Sequence, residues 1–372
     1  MTAPEPGGVR CMLMRGGTSK GAYFLAGDLP RTRPVRDDLL LRIMGSGDPR
    51  QIDGIGGAHP LTSKVAIVSR TDDPDADLDY LFLQLGVDEA TVSDQQNCGN
   101  LLAGVGPFAV ERGLMAAGPG QTTVRIRMVN SGSLAAARFA TPGGRVEYDG
   151  DTAISGVPGT AAAIVLDFTG TEGSATGRLL PTGHVRDEID GIEVTCIDNG
   201  MPVVVARAAD LGVTGYEPHE DLATDAPLAD RVQSLRSQAG KLMGLGDVSA
   251  ASVPKTTLVA APREGGTICT RTFIPVRPHT SIGVLGAVSV VTALAIPGAT
   301  GSELAEQPAG VRYDVEHATG HLEVEADIDT SGPLPRVRRS GVVRTARKLF
   351  DGYVFPRPGG RTAPGHQDGR AG

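Results

Sequence analysis

The chain carries two short stretches that are almost wholly apolar and rich in small residues, NLLAGVGPFAV at 100–110 and SIGVLGAVSVVTAL at 281–294. A helix with no polar stripe cannot lie on a surface; it sits at the centre of a domain with other elements on every side. Most of the remaining sequence reads as short strands bounded by Gly, Pro, Asp or Asn: VRCMLM, KVAIVS, YLFLQLGV, TVRIRMVN, IEVTCID, PVVVA, TTLVA and TICTRTFI. Helical patterns are few and cover Asp37–Met44, Asn100–Met115, Leu228–Met243 and Val284–Ile296. Strands and helices do not alternate regularly, which disfavours a doubly wound sheet. The expectation is two mixed α/β halves, each wrapping strands around one apolar helix, and a length of 372 residues suits two domains.

An internal echo supports duplication. A lysine heads a strand in TSKVAIV at 62–68 and again in VPKTTLVA at 253–260, and a small-residue helix start follows each by about thirty residues. A net charge of -8 and the absence of Trp argue against a nucleic-acid partner. No apolar run is long enough to cross a bilayer and no signal segment is visible, so the expectation is a cytoplasmic protein. Cys11, Cys98, Cys196 and Cys269 show no zinc-ligand spacing, and free thiols are expected.

The start of the first apolar helix, QNCGN, is chemically suggestive. Its free N–H groups favour a negative occupant, either a substrate carboxylate or a thiolate. Cys98 stands at that start, where a helix N-terminus lowers a thiol pKa below about 8.5. Gly99 leaves room for a ligand, and Asn97 and Asn100 add amides. A packed, inert cysteine beside a helix cap explains the same residues. In GIGGAHPLTSK, at 54–64, Thr62 and Ser63 offer hydroxyls, and Lys64 opens an apolar strand, a setting that can depress an amine pKa. A solvated lysine at a strand end is the plainer alternative.

The stretch MLMRGGTSKG, at 12–21, is not a nucleotide loop: it lacks the Walker spacing and a strand follows it. It reads as strand, turn, strand, with Arg15, Thr18, Ser19 and Lys20 placed to face a carboxylate. His279 precedes the second apolar helix and suggests a lid. Glu111 and Arg112 read as a solvated helix end, and DDPDADLD at 72–79 as a solvated loop. The stretch 356–372, rich in Gly, Pro and Arg, reads as a disordered tail.

Six segments in order, MLMRGGTSKG, QIDGIGGAHPLTSKVAIVS, NCGNLLAGVGPFAVERGL, IDNGMPVVV, PHTSIGVLGAVSV and RTARKLFDGYV, resemble the methylaconitate isomerase family, which is related in fold to diaminopimelate epimerase. The resemblance runs from about Arg10 to Val354. It implies an α+β fold of two pseudo-symmetric epimerase-like domains, each a curled, mostly antiparallel sheet around a central helix, with the site between them. The expected division is 1–186, completed by a returning strand near 342–356, then 187–341, with a tail at 357–372.

The resemblance further implies cofactor-free proton transfer within a small unsaturated tricarboxylate and a homodimer, while the residues themselves point to no metal and to no membrane or nucleic-acid partner. It matches Lys64 and Cys98 to the proton-transferring positions. The substrate set it suggests is Arg15, Gly17, Thr18, Ser19, Lys20, Thr62, Ser63, Asn97, Gly99 and Asn100 from the first half, and Met201, Lys255, Ser281, Gly283 and Gly286 from the second. Epimerases of this fold oppose two cysteines across the cleft. Here the second helix start has only Thr280 and Ser281, both poor bases without help, so two-thiol racemisation is disfavoured. A non-catalytic small-anion binder stays open.

Overall fold

The computed structural model describes residues 7–95, 97–168, 170–249 and 251–359, so most of the expected tail lies outside the described residues. The first half runs β1 (Val9–Gly16), β2 (Ser19–Leu25), α1 (Arg33–Met44), β3 (Lys64–Arg70), β4 (Leu78–Leu85), the short β5 (Val92–Ser93), α2 (Gly99–Glu111), β6 (Gly120–Met128), β7 (Leu134–Thr141) and β8 (Ala163–Phe168). The second runs β9 (Asp187–Ile189), β10 (Ile192–Asp198), β11 (Pro202–Arg207), α3 (His219–Thr224), α4 (Ala226–Leu242), β12 (Lys255–Ala260), β13 (Ile268–Phe273), α5 (Val284–Leu294), β14 (Arg312–His317), β15 (Gly320–Asp329) and the 19-residue β16 (Arg336–Val354).

The two halves repeat one pairing scheme. β1 and β2 are antiparallel, β3 joins β2 in parallel, β4 returns antiparallel, and β6 joins β4 in parallel after α2. The same succession of pairings relates β10, β11, β12 and β13, with β14 joining β13 in parallel after α5. The sequence echo of two lysine-headed strands is therefore an echo of topology: Lys64 opens β3 and Lys255 opens β12.

β16 holds the halves together. Its beginning pairs with β15 and then with β8, and Ala346–Val354 pairs with β1, which closes the first sheet into a ring. Inside that ring α2 is buried from Leu101 to Ala109, and α5 is buried from Gly286 to Leu294 within the second sheet. One apolar core contains residues of both helices. Strand alternation sorts the other faces: Val65, Ile67 and Leu83 turn outward under α1, and Val194, Val204 and Leu258 turn outward under α4.

Close packing around α2 explains one of its glycines. Tyr23 donates to the Leu101 carbonyl at 2.6 Å, and a Cβ on Gly104 would stand 2.5 Å from the same tyrosine hydroxyl. Only a residue without a side chain lets the ring pass there.

Two sequence expectations change. Arg112 is not a solvated helix end: its side chain is buried, stacks near Phe108 and pairs with Asp351 at 2.9 Å. Glu111 pairs with Lys348 at 2.7 Å. The acidic stretch 72–79 is not simply a solvated loop either, because Asp77 and Asp79 each bind an arginine of β6, Arg125 and Arg127. Among the described residues no helix is long and apolar enough to cross a membrane.

Candidate active site

The hairpin is built against the start of α2. Gly16 and Ser19 pair across a two-residue turn, Gly17–Thr18, with Gly17 at φ +51. A Cβ on Gly17 would lie 2.2 Å from Asn100 Oδ1, so the turn has no room for one. The Asn100 amide in turn donates to Thr18 Oγ1 at 3.0 Å and to Ser19 Oγ at 3.4 Å.

Cys98 is the N-cap of α2 and is 9% exposed. Its carbonyl accepts from Leu102 N and from the Tyr80 hydroxyl, and its thiol caps no backbone group. The first-turn N–H groups of α2 have no acceptor within the helix. Burial first, and the nearby Cys98 second, hold the Tyr23 and Tyr80 hydroxyls well above their ordinary pKa, so both remain protonated.

Both helix starts open onto one cavity of about 1250 Å³. Thr18, Asn97, Cys98, Gly99 and Asn100 wall it from the first half; Met201, Lys255, Ser281, Gly283 and Gly286 wall it from the second. A smaller cleft of about 460 Å³, beside Pro49, Pro60, Gln84 and Asp88, shares none of these residues.

Seven expected site residues are not on the cavity wall. Period two puts Arg15 on the face of β1 opposite Met12 and Met14, and its guanidinium donates to Gly17 O and to Thr345 of β16. Lys20 shares the outward face of Ala22 and Phe24. Thr62 donates to the His59 carbonyl and Ser63 to Gln51, and Gly17 and Ser19 are spent in the turn.

Lys64 is the seventh. It lies on the inward face of β3 with Ala66 and Val68, 7% exposed, its ammonium 2.6 Å from Gln84 Oε1 and 5.1 Å from the Phe82 ring centre. Its strand partner Gly21 abuts Leu101 in the first turn of α2.

Four basic cavity residues lie outside the expected substrate set. His279, His317 and His321 cluster near the start of α5, and Arg344 projects from β16. His279 Nδ1 accepts from Ser281 N at 3.0 Å, which ties it to the helix start rather than leaving it as a free lid. His317 Nε2 is 3.1 Å from Ser281 Oγ, and burial drives its pKa down to about 4. His321 binds Asp314 at 2.8 Å. The three histidines are scattered in sequence, and only the β13–α5 loop and the β14–β15 hairpin bring them together.

A profile of the family described as PrpF protein matches residues 8–357, almost the whole described chain. The chain belongs to the PrpF protein family. Two relatives are similar over nearly their full length: a (4E)-oxalomesaconate Delta-isomerase of Novosphingobium sp. (strain KA1), 56% identical over 93% of this chain and 96% of its own, and a 4-oxalomesaconate tautomerase of Pseudomonas putida, 57% identical over 93% and 95%. The solved structure of a methylitaconate-delta-isomerase superposes with a TM-score of 0.85 at 32% identity, covering 94% of this chain and 95% of that one. The PrpF fold is therefore the two-part, epimerase-like α+β fold that the motifs implied.

Proposed function

We propose that this PrpF protein is a cofactor-independent isomerase that converts 4-oxalomesaconate from its keto to its enol form. The observation that carries this reading is the single cavity onto which both helix N-termini open, with one thiol, Cys98, and Ser281 in place of a second cysteine. The names of the two relatives supply the substrate. Methylaconitate is the alternative substrate of the same chemistry.

A carbon between a keto group and a conjugated carboxylate gives up its proton only if the resulting dienolate is stabilised. The fixed N–H groups of two helix first turns offer that stabilisation. Lys64 removes the proton, and the Cys98 thiol delivers one to the keto oxygen at the end of the conjugated system. One C–H bond breaks and one O–H bond forms. The Lys64 ammonium and the Cys98 thiolate then exchange a proton, directly or through solvent, to reset.

A second reading has its own observation: Lys255 is on the cavity wall and Lys64 is not. The Lys255 ammonium lies 3.5 Å from where a Cβ on Gly283 would stand, and burial lowers its pKa. In that reading Lys255 is the base facing Cys98. The free thiols and the acidic charge support a cytoplasmic site of action, and the fold's resemblance supports a homodimer. The domains in this proposal are 1–186 with the end of β16, and 187–341.

The test is the ultraviolet absorbance of fresh keto 4-oxalomesaconate, because the enol extends the conjugation. Wild type should convert it, and Lys64→Ala and Cys98→Ser should each lose at least about a hundredfold in kcat. Lys255→Ala should raise KM instead. Full turnover by Lys64→Ala with a dead Lys255→Ala would install the second reading. No turnover by wild type on either tricarboxylate, with binding retained, would leave a non-catalytic anion binder.

A further inference from the structure

Arg344 is the first residue of the RTARKLFDGYV motif, which the proton-transfer scheme leaves unused. On β16 it alternates with Val342 and Ala346, both wholly buried in the core, so an arginine occupies a position where the strand pattern calls for an apolar residue. The strand passes from the second sheet to the first at this point: Val342 pairs with Val324 of β15, Arg344 with Ile164 of β8, and Ala346 with Gly16 of β1. The side chain lines the cavity onto which both helix starts open, at the seam of the two halves.

Arg339, on the same strand, is neutralised and Arg344 is not. Arg339 binds Glu325 at 2.7 Å, and Arg138 binds the same carboxylate at 3.2 Å. Among the described residues Arg344 has no carboxylate within ion-pair distance, and its one side-chain hydrogen bond goes from Nη1 to the Val343 carbonyl at 3.0 Å. A guanidinium has five N–H donors in a planar fork that matches a carboxylate edge, so most of this one is uncommitted. The acidic groups of the wall lie beyond ion-pair distance of it: Asp314 pairs with His321 at 2.8 Å and Glu323 with Arg312 at 3.3 Å. Burial lowers the Arg344 pKa only to about 10, so the group is cationic at neutral pH.

We propose that Arg344 is a specificity-determining binding residue whose guanidinium grips one carboxylate of the substrate edge-on, so that the site selects tricarboxylates over acids with fewer carboxylates. The proposal rests on the unsaturated tricarboxylate reading above and adds the residue that enforces it. Bidentate geometry, not charge alone, is the requirement, and lysine should therefore be a poor substitute.

Calorimetric binding of propane-1,2,3-tricarboxylate and of pentanedioate separates the possibilities without needing turnover. Wild type should prefer the tricarboxylate. Arg344→Gln should weaken it about ten- to a hundredfold, shrink the preference over pentanedioate, and raise KM with kcat within a few-fold. Arg344→Lys should restore only part of the loss.

Arg338→Gln, which removes an exposed arginine paired with Asp329, should leave binding unaltered, and thermal melts check that each variant folds. Unchanged binding and KM in a folded Arg344→Gln, or full recovery with lysine, overturns the proposal while leaving the isomerase intact. Arg344-dependent tricarboxylate binding in a wild type that does not isomerise 4-oxalomesaconate would sink the substrate reading and keep the anchor.

Discussion

His317 shows how one side chain decides between chemistries. The Thr319 N–H donates to its Nδ1 at 3.3 Å, and that N–H direction is set by the backbone, so the neutral ring carries its proton on Nε2 and donates to Ser281 Oγ. Ser281 then has its own hydroxyl proton free for the cavity, and the imidazole cannot act as its base. This disfavours a racemase in which Ser281 replaces a second thiol. Burial holds the folded pKa near 4, with the adjacent His321 adding in the same direction, against about 6.5 in an unfolded chain. Between those values the unfolded chain takes up a proton that the folded one refuses. The stabilisation is therefore complete above pH 6.5 and is lost as pH falls toward 4. Denaturant titrations should show a loss on the order of 2 kcal/mol across that window that is reduced in His317→Gln. An equal acid loss in both proteins would remove His317 from the account.

At the scale of elements, the two central helices were legible because a helix apolar on nearly every face has only one place to go. Their caps were legible as well, through Cys98 with Gly99 and through Ser281 with Gly283. β7 was not: LAAARFAT is rich in alanine, a weak strand former, and it is a strand because β6 and β8 pair with it on either side. β16 was legible only as a returning strand near 342–356, whereas it begins at Arg336 and serves three neighbours. The tight contact of α2 with Tyr23 makes a prediction at this scale. Gly104→Ala improves helix propensity by about 1 kcal/mol but drives a methyl into a buried hydroxyl. The clash should win, lowering stability by about 1–3 kcal/mol, as read from the denaturation midpoint. A more stable variant would mean that the ring gives way freely.

The whole molecule depends on β16 more than its place near the chain's end suggests. It closes the first sheet against β1, lines the seam with β8 and completes the second sheet against β15. A chain ending at residue 335 would expose the edges of three strands and open the core around α2. It should therefore lose cooperative melting in circular dichroism, and a native-like transition from such a chain would show that the first sheet stands without closure.

By itself the sequence determined what local chemistry can determine: two buried helices, lysine-headed strands in duplicate, the Gly17 turn, the thiol at a helix start, and motifs specific enough to mark the family. Tertiary structure alone decided which of those groups share a space. Strand alternation sent Arg15 and Lys20 away from the cavity and Arg344 into it, and the loops around α5 gathered histidines from 279, 317 and 321. The facing of a side chain depends on sheet register, and register is set by partners hundreds of residues away, such as Ala346 against Gly16.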